Sequence, residues 1–163
     1  MNADEAPTVW LLQQVFRLEG QRTLGLAKLG REPGAEAHLE SVDARLNLYL
    51  EELGARRVAY PGHAIARQHG FGQPDYLLLQ LALASRHGDA HVLALTTALG
   101  DPMPEVRLSH AIRLLFPGVD SWDHAGTELR QLKAVVERFV LLSDEDDPTL
   151  SPSQAVRELL GLS

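Results

Sequence analysis

Glycine and proline recur at intervals along this 163-residue chain, and their positions constrain the fold more than any other feature. Helix-breaking clusters lie at 30–34, 60–62, 70–74, 100–102 and 117–118. Both residue types interrupt helices and favour turns. Most of the segments between the breaks are long enough to form at least one helix, and several have the apolar spacing of a helix. We therefore predict a mainly α fold made of short packed helices.

The first two segments are predicted to form an antiparallel helical hairpin, residues 1–58. The second helix has one apolar stripe from Leu39 to Leu53 and is predicted to end at Gly54, since glycine is common just after a helix. Trp10 and Leu48 fall outside the apolar faces of their helices. The first helix is predicted from Pro7 to Lys28, and its buried face to comprise Val9, Leu11, Leu12, Val15, Phe16 and Leu18.

The second part, residues 59–163, is predicted to be a helical bundle with a small β-wing, a winged-helix-like arrangement. Residues 76–84 are apolar on nearly every side, which indicates a central buried helix. Further helices are expected at 90–99, at 104–116 with Pro104 as its first residue, and at 123–138.

The carboxyl-terminal segment supplies the predicted wing. The residues 139–142 read as a short buried strand, and Thr149-Leu150 as its partner across an acidic turn. Ser151 is predicted as the N-cap of a last helix, with Pro152 as the first helical residue.

Composition limits the function classes. The 22 acidic and 15 basic residues give a formal net charge of −7, which disfavours nucleic acid and anionic membranes as partners. The absence of cysteine excludes thiolate catalysis and cysteine-based zinc sites, and it fits a reducing compartment. The first residues lack the pattern of a signal peptide, and no apolar run approaches the length of a membrane span. We expect a cytoplasmic protein.

No motif indicates catalysis, a cofactor or a metal. Neither Lys28 nor Lys133 has the context of a phosphate-binding loop. His87 and His91 have a spacing that could bring two imidazoles together, but Gly88 between them predicts a turn. The polar cluster 120–124 is more simply a helix cap than a metal or general-base site.

Ser109 and His110 are adjacent, and adjacent helical residues point in different directions. They therefore do not suggest an activated nucleophile.

Three phrases occur in an order that resembles the helical and winged-helix region ahead of the ATPase core in certain bacterial AAA+ ATPases. They are HAIARQHGFGQPDYLLLQLALA (63–84), VRLSHAIRLLFP (106–117), and Leu141-Leu142 with DPTLS (147–151) and VRELLG (156–161). The family's acidic phrase after the central helix is replaced here by ASRHGD (84–89).

This resemblance implies a non-catalytic accessory domain that recognises a client or an assembly partner. Some ATPases of this kind accompany contractile injection systems, and the resemblance implies that context too. The ATPase core is not among these 163 residues, so the chain could be an excised domain or a stand-alone relative. Trp10 and Leu48 would then belong to the contact surface, for a partner protein or for a second copy of the chain.

Two other functions remain open. A winged helix could act as a DNA-binding transcriptional regulator, which a basic stripe built from Arg107, Arg113, Arg130 and Arg138 would favour. The acidic turn 144–147 argues against it, because it would repel phosphates. An enzyme using the histidine-rich loops would need a deep pocket that gathers two or more of them.

Overall fold

A computed structural model describes residues 2–116 and 138–162. It divides into two compact units, residues 1–70 and 71–163. The sequence suggested a division between residues 58 and 59. The described residues are mainly helical with a small two-stranded sheet, as predicted.

The amino-terminal unit is built on an antiparallel pair of long helices. α1 spans Thr8–Lys28, α2 spans Ala35–Ala55, and the shorter α3 spans Pro61–Gln68. A short 3-10 turn at Ala3–Glu5 precedes α1. Gly34 begins α2 from a left-handed conformation, with a φ of 82°, which glycine adopts without steric cost. The predicted hairpin is confirmed.

The core of this unit is narrower than the apolar pattern indicated. Leu11, Val15 and Leu18 are fully buried. Val9, which we predicted on the same face, is 66% exposed. It belongs to the first turn of α1, and helical spacing places it about 160° from Leu11 around the axis. The prediction for Val9 was therefore wrong.

The end of α2 also differs from the prediction. Gly54 lies inside the helix, and the left-handed residue beyond it is Arg57, with a φ of 58°. The Arg57 N–H donates to the Gly54 carbonyl, and the Val58 N–H donates to the Leu53 carbonyl. These two bonds form a Schellman motif, in which Arg57 occupies the left-handed position that glycine usually takes after a helix.

The second unit is organised around a buried helix. α4 spans Gln73–Ala82 and continues through a 3-10 turn, Ala84–His87, to α5, Asp89–Ala98. All residues from Leu77 to Ala84 are buried, which confirms the predicted central helix. α6 spans Leu108–Leu115.

Two strands and a last helix complete the described part of this unit. β1 spans Val140–Leu142, β2 spans Leu150–Pro152, and they pair antiparallel with Leu141 opposite Ser151. α7 spans Gln154–Leu159. Its N-cap is Ser153, whose hydroxyl accepts from the Val156 N–H. The predicted cap at Ser151 was wrong, because Ser151 and Pro152 are used in β2.

The start of α6 corrects a further prediction. Pro104 does not begin the helix. The Leu150 N–H donates to the Val106 carbonyl, and the Leu108 N–H donates to the Pro148 carbonyl. This backbone pairs with the segment before and into β2, so it cannot be helical. The predicted helix 123–138 lies almost entirely outside the described residues.

Candidate functional site

The two residues predicted as partner contacts lie on the exposed side of the α1–α2 hairpin. Leu48 is 54% exposed. Trp10 is half-buried, and its ring packs edge-on against Tyr49 with 5.6 Å between the ring centroids. Trp10 therefore already has an intramolecular partner, whereas the side chain of Leu48 faces solvent. We call Trp10, Leu48 and Tyr49 the hairpin patch.

Polar contacts hold the two helices that carry the hairpin patch. The Arg56 guanidinium donates to Glu52 Oε1 at 2.8 Å and to Thr8 Oγ1 at 3.0 Å. It also donates to the carbonyls of Ala3 and Asp4, at 3.1 and 3.2 Å. One side chain thereby ties the end of α2 to the start of α1 and the turn before it.

The prediction for the His87–His91 pair needs a correction. Gly88 does form the predicted turn, with a φ of 103°. The turn nevertheless brings the two imidazoles together, with ring centroids 4.9 Å apart. Burial and the neighbouring His91 lower the pKa of His87 to about 4, and burial also lowers the pKa of His91. Both rings are therefore held in the neutral form at pH 7.

Neutral imidazoles can bind metals, but two are too few for a site. Across residues 2–116 and 138–162, no cluster of three or more His, Asp or Glu side chains could hold a metal ion. The polar cluster 120–124 lies outside the described residues. Its assignment as a helix cap stays a prediction.

Ser109 and His110 face different partners. The Ser109 hydroxyl donates to Asp147 Oδ2 at 2.6 Å, and the Ser109 N–H donates to Asp147 Oδ1 at 3.0 Å. His110 is fully buried. Its Nδ1 accepts from the Arg107 N–H at 2.9 Å, and its Nε2 donates to the Asp101 carbonyl at 2.8 Å. Both residues thus stabilise the start of α6.

The arginines that could have formed a basic stripe are largely engaged. Arg107 forms ion pairs with Glu105 and Glu145 and donates to the Asp147 carbonyl. The hydrogen bond that the Arg107 guanidinium donates to the Glu145 carboxylate raises the pKa of Arg107. Arg113 donates to the Leu99 carbonyl. Arg130 lies outside the described residues, and Arg138 is exposed.

A polar cluster between α1 and α3 was not predicted from the sequence. Glu19 of α1 is 3% exposed, and its Oε1 lies 2.8 Å from Nε2 of His63 in α3. The Tyr60 ring stacks on the His63 ring with centroids 5.0 Å apart. Burial, assisted by the charge of Glu19, raises the pKa of the Tyr60 hydroxyl.

A signal for this cluster was present in the sequence. Glu19 lies four residues after Val15 and eight after Leu11, so helical spacing puts it on the buried face of α1. A carboxylate at such a position needs a partner. The sequence offered no means of choosing His63 among seven histidines.

The chain matches no family model, no curated protein and no solved structure. Among the described helices, none combines the length and apolar character required to span a bilayer.

Proposed function

We propose that this chain is a non-catalytic protein-interaction domain whose hairpin patch binds a client or an assembly partner. The observation that carries the proposal is Leu48, a large apolar side chain left 54% exposed at the position before Tyr49, whose ring packs against Trp10. Tryptophan and tyrosine are enriched where proteins bind one another. The resemblance of this chain to the accessory domain of AAA+ ATPases suggests that it acts in the cytoplasm. There it would connect such an ATPase to another protein, for example in a contractile injection system.

The hairpin suits this role because its surface is held in place before a partner arrives. Arg56 ties α2 to residues at and before the start of α1, and Arg22 pairs with Asp43 at 3.0 Å. Pre-organised surfaces bind more tightly because fewer groups lose freedom on binding. An isolated exposed leucine would be unremarkable. An exposed leucine that precedes Tyr49 in a helix held in place by Arg56 and Asp43 favours a contact surface.

A DNA-binding regulator remains the second candidate, and one observation favours it. Arg107 forms a β-bridge with Thr149, which adds a third extended segment to the two-stranded wing, as winged-helix domains have. The charges oppose this function, because Arg107 itself is paired with Glu145 and Glu105. A DNA-binding surface would need cations that remain available for phosphates.

The absence of cysteine permits a position-specific test. A Leu48→Cys variant carries one thiol, which can be labelled with a short photo-cross-linker. Glu40→Cys is the matched control, because it is exposed on the same helix about 12 Å away along the axis. Both labelled chains are irradiated in lysate of the source cells, with and without nuclease, and the cross-linked proteins are identified by mass spectrometry.

The proposal requires a defined protein cross-linked at position 48 and not at position 40, irrespective of nuclease. Unlabelled chain should compete for that product, and a Trp10→Ala variant should compete less well. Equal cross-linking from both positions, or no product at position 48, would sink the proposal. Products that disappear with nuclease would favour the DNA-binding regulator.

A further inference from the structure

A cleft of about 430 Å³ lies between the end of α2 and α3, within the amino-terminal unit. Its polar wall contains Arg57, His63 and Arg67. Its apolar wall includes Leu50, Leu53 and Val58. No aspartate or glutamate lines it, although acidic residues outnumber basic ones in the chain. We call this site the arginine cleft.

Arg57 occupies a backbone conformation that does not suit it. It is the sole non-glycine residue with a positive φ in the described parts of the chain, at 58°. The Cβ of an L-residue is crowded in this left-handed region, and glycine usually takes this place after a helix. The hydrogen bonds that end α2 here use backbone atoms only, so glycine could make them equally well. The arginine side chain is therefore not needed to end the helix.

The two guanidiniums of the cleft have no acceptor within residues 2–116 and 138–162. The side chains of Arg57 and Arg67 make no hydrogen bond or ion pair there, whereas the adjacent Arg56 side chain makes four hydrogen bonds. The acid behind the cleft, Glu19, is buried and directs Oε1 to His63 at 2.8 Å. Backbone strain at a residue whose side chain serves no local contact is common where proteins bind ligands.

We propose that the arginine cleft binds a phosphate group carried on a ligand with an apolar portion. His63 and Arg67 are four residues apart on α3, so they share one face of that helix. Arg57 lines the same cleft from the connection that follows α2. Two guanidiniums match the double negative charge of a phosphate group, and each planar guanidinium can donate to two of its oxygens. Leu50, Leu53 and Val58 would contact the apolar portion. This inference goes beyond the interaction function proposed above and does not depend on it.

The test uses the 163-residue chain and phenyl phosphate, followed by amide chemical shifts in a two-dimensional nuclear magnetic resonance titration. Saturable shifts are expected within residues 50–67, which contain the lining of the cleft. Inorganic phosphate should bind more weakly, since it lacks the apolar portion, and benzoate should bind more weakly because carboxylate carries a single charge.

Arg57→Gly separates a binding role from a structural one. Glycine relieves the left-handed strain, so the thermal midpoint of unfolding should be no lower than that of the wild type. Phenyl phosphate affinity should nevertheless fall about tenfold or more, as expected when a charged hydrogen-bond donor is lost. Arg67→Ala should weaken binding similarly. Arg45→Ala, an exposed residue of α2 with the same change in charge, should leave affinity within about twofold.

Three results would overturn the proposal. Shifts that do not saturate, or that lie mainly outside residues 50–67, would show only diffuse attraction between charges. An unchanged affinity in Arg57→Gly, with the fold intact, would leave the strained arginine without this role. Benzoate binding as tightly as phenyl phosphate would exclude the preference for phosphate.

Discussion

Replacing His110 tests whether this histidine is a structural residue. His110 is fully buried, and its two ring nitrogens join the Asp101 carbonyl to the Arg107 N–H. A ring that accepts at Nδ1 and donates at Nε2 is the neutral Nε2–H tautomer, as these partners assign it. The histidine thereby fixes the chain before α6 and supplies an acceptor at the start of that helix.

His110→Phe keeps most of the volume and removes both hydrogen bonds. Each buried backbone group left without a partner costs about 1–3 kcal/mol, so we expect the free energy of unfolding to fall by about 3 kcal/mol. His110→Ala should cost about 2 kcal/mol more, because it also leaves a cavity. Ile112→Val, at a buried position of the same helix, is the control for lost packing and should cost about 1 kcal/mol.

The measurement is urea unfolding followed by circular dichroism, with the slope compared among variants to verify that the transition stays cooperative. A loss below about 1 kcal/mol in His110→Phe would refute the reasoning. It would mean that water or a local shift satisfies the Asp101 and Arg107 backbone groups. If His110→Phe folded stably but abolished an enzymatic activity of the chain, that result would instead support the enzyme hypothesis.

Three further changes are expected to alter stability. The lowered pKa of His87, about 4 instead of 6.5, means that the unfolded chain binds the proton more readily, so stability present above pH 6.5 is lost as the pH falls towards 4. Allowing for its partial exposure, His87→Gln should lose about 2 kcal/mol less than the wild type between pH 7 and pH 4 in urea unfolding, and an equal loss would contradict this. Gly54→Ala should raise the thermal midpoint, by about 2 °C, because Gly54 is inside α2 with open space around its Cα, whereas Gly34→Ala should lower it. Asp147→Ala should cost about 1–2 kcal/mol in the same urea assay, since Ser109 loses the acceptor of its N–H and hydroxyl; a neutral result would show that the contacts are dispensable.

The sequence predicts those helices whose buried face is visible in the local pattern of apolar residues. The stripe of α2 was assigned correctly because its apolar spacing extends over several turns, and α4 was assigned correctly because it is apolar on nearly every side. The start of α6 could not be assigned in this way. Pro104 has the local pattern of a first helical residue. The backbone there is decided instead by the pairing of Val106 with Leu150 and of Leu108 with Pro148, which lie 40 or more positions later in the sequence.

The candidate sites were less predictable because they depend on which side chains already have partners. Leu48 was identified from the apolar pattern, and its exposure agrees with that pattern. The arginine cleft was not identified, since a sequence does not indicate that Arg56 is fully engaged while Arg57 is not. Nor does it indicate that the left-handed residue falls at 57 and not at Gly54.

The distribution of partners separates structural from functional polar residues in this chain. We considered Ser109 and His110 as a nucleophile pair and Arg107 as part of a DNA-binding stripe. In the structure all three side chains help to fix the start of α6. Arg57 differs, because its backbone is strained and its guanidinium has no acceptor among the described residues. A strained residue whose side chain makes no local contact lowers the stability of the fold, so we infer that its side chain serves ligand binding. The Arg57→Gly variant tests this inference, because it should weaken the binding of phenyl phosphate and raise the stability of the fold.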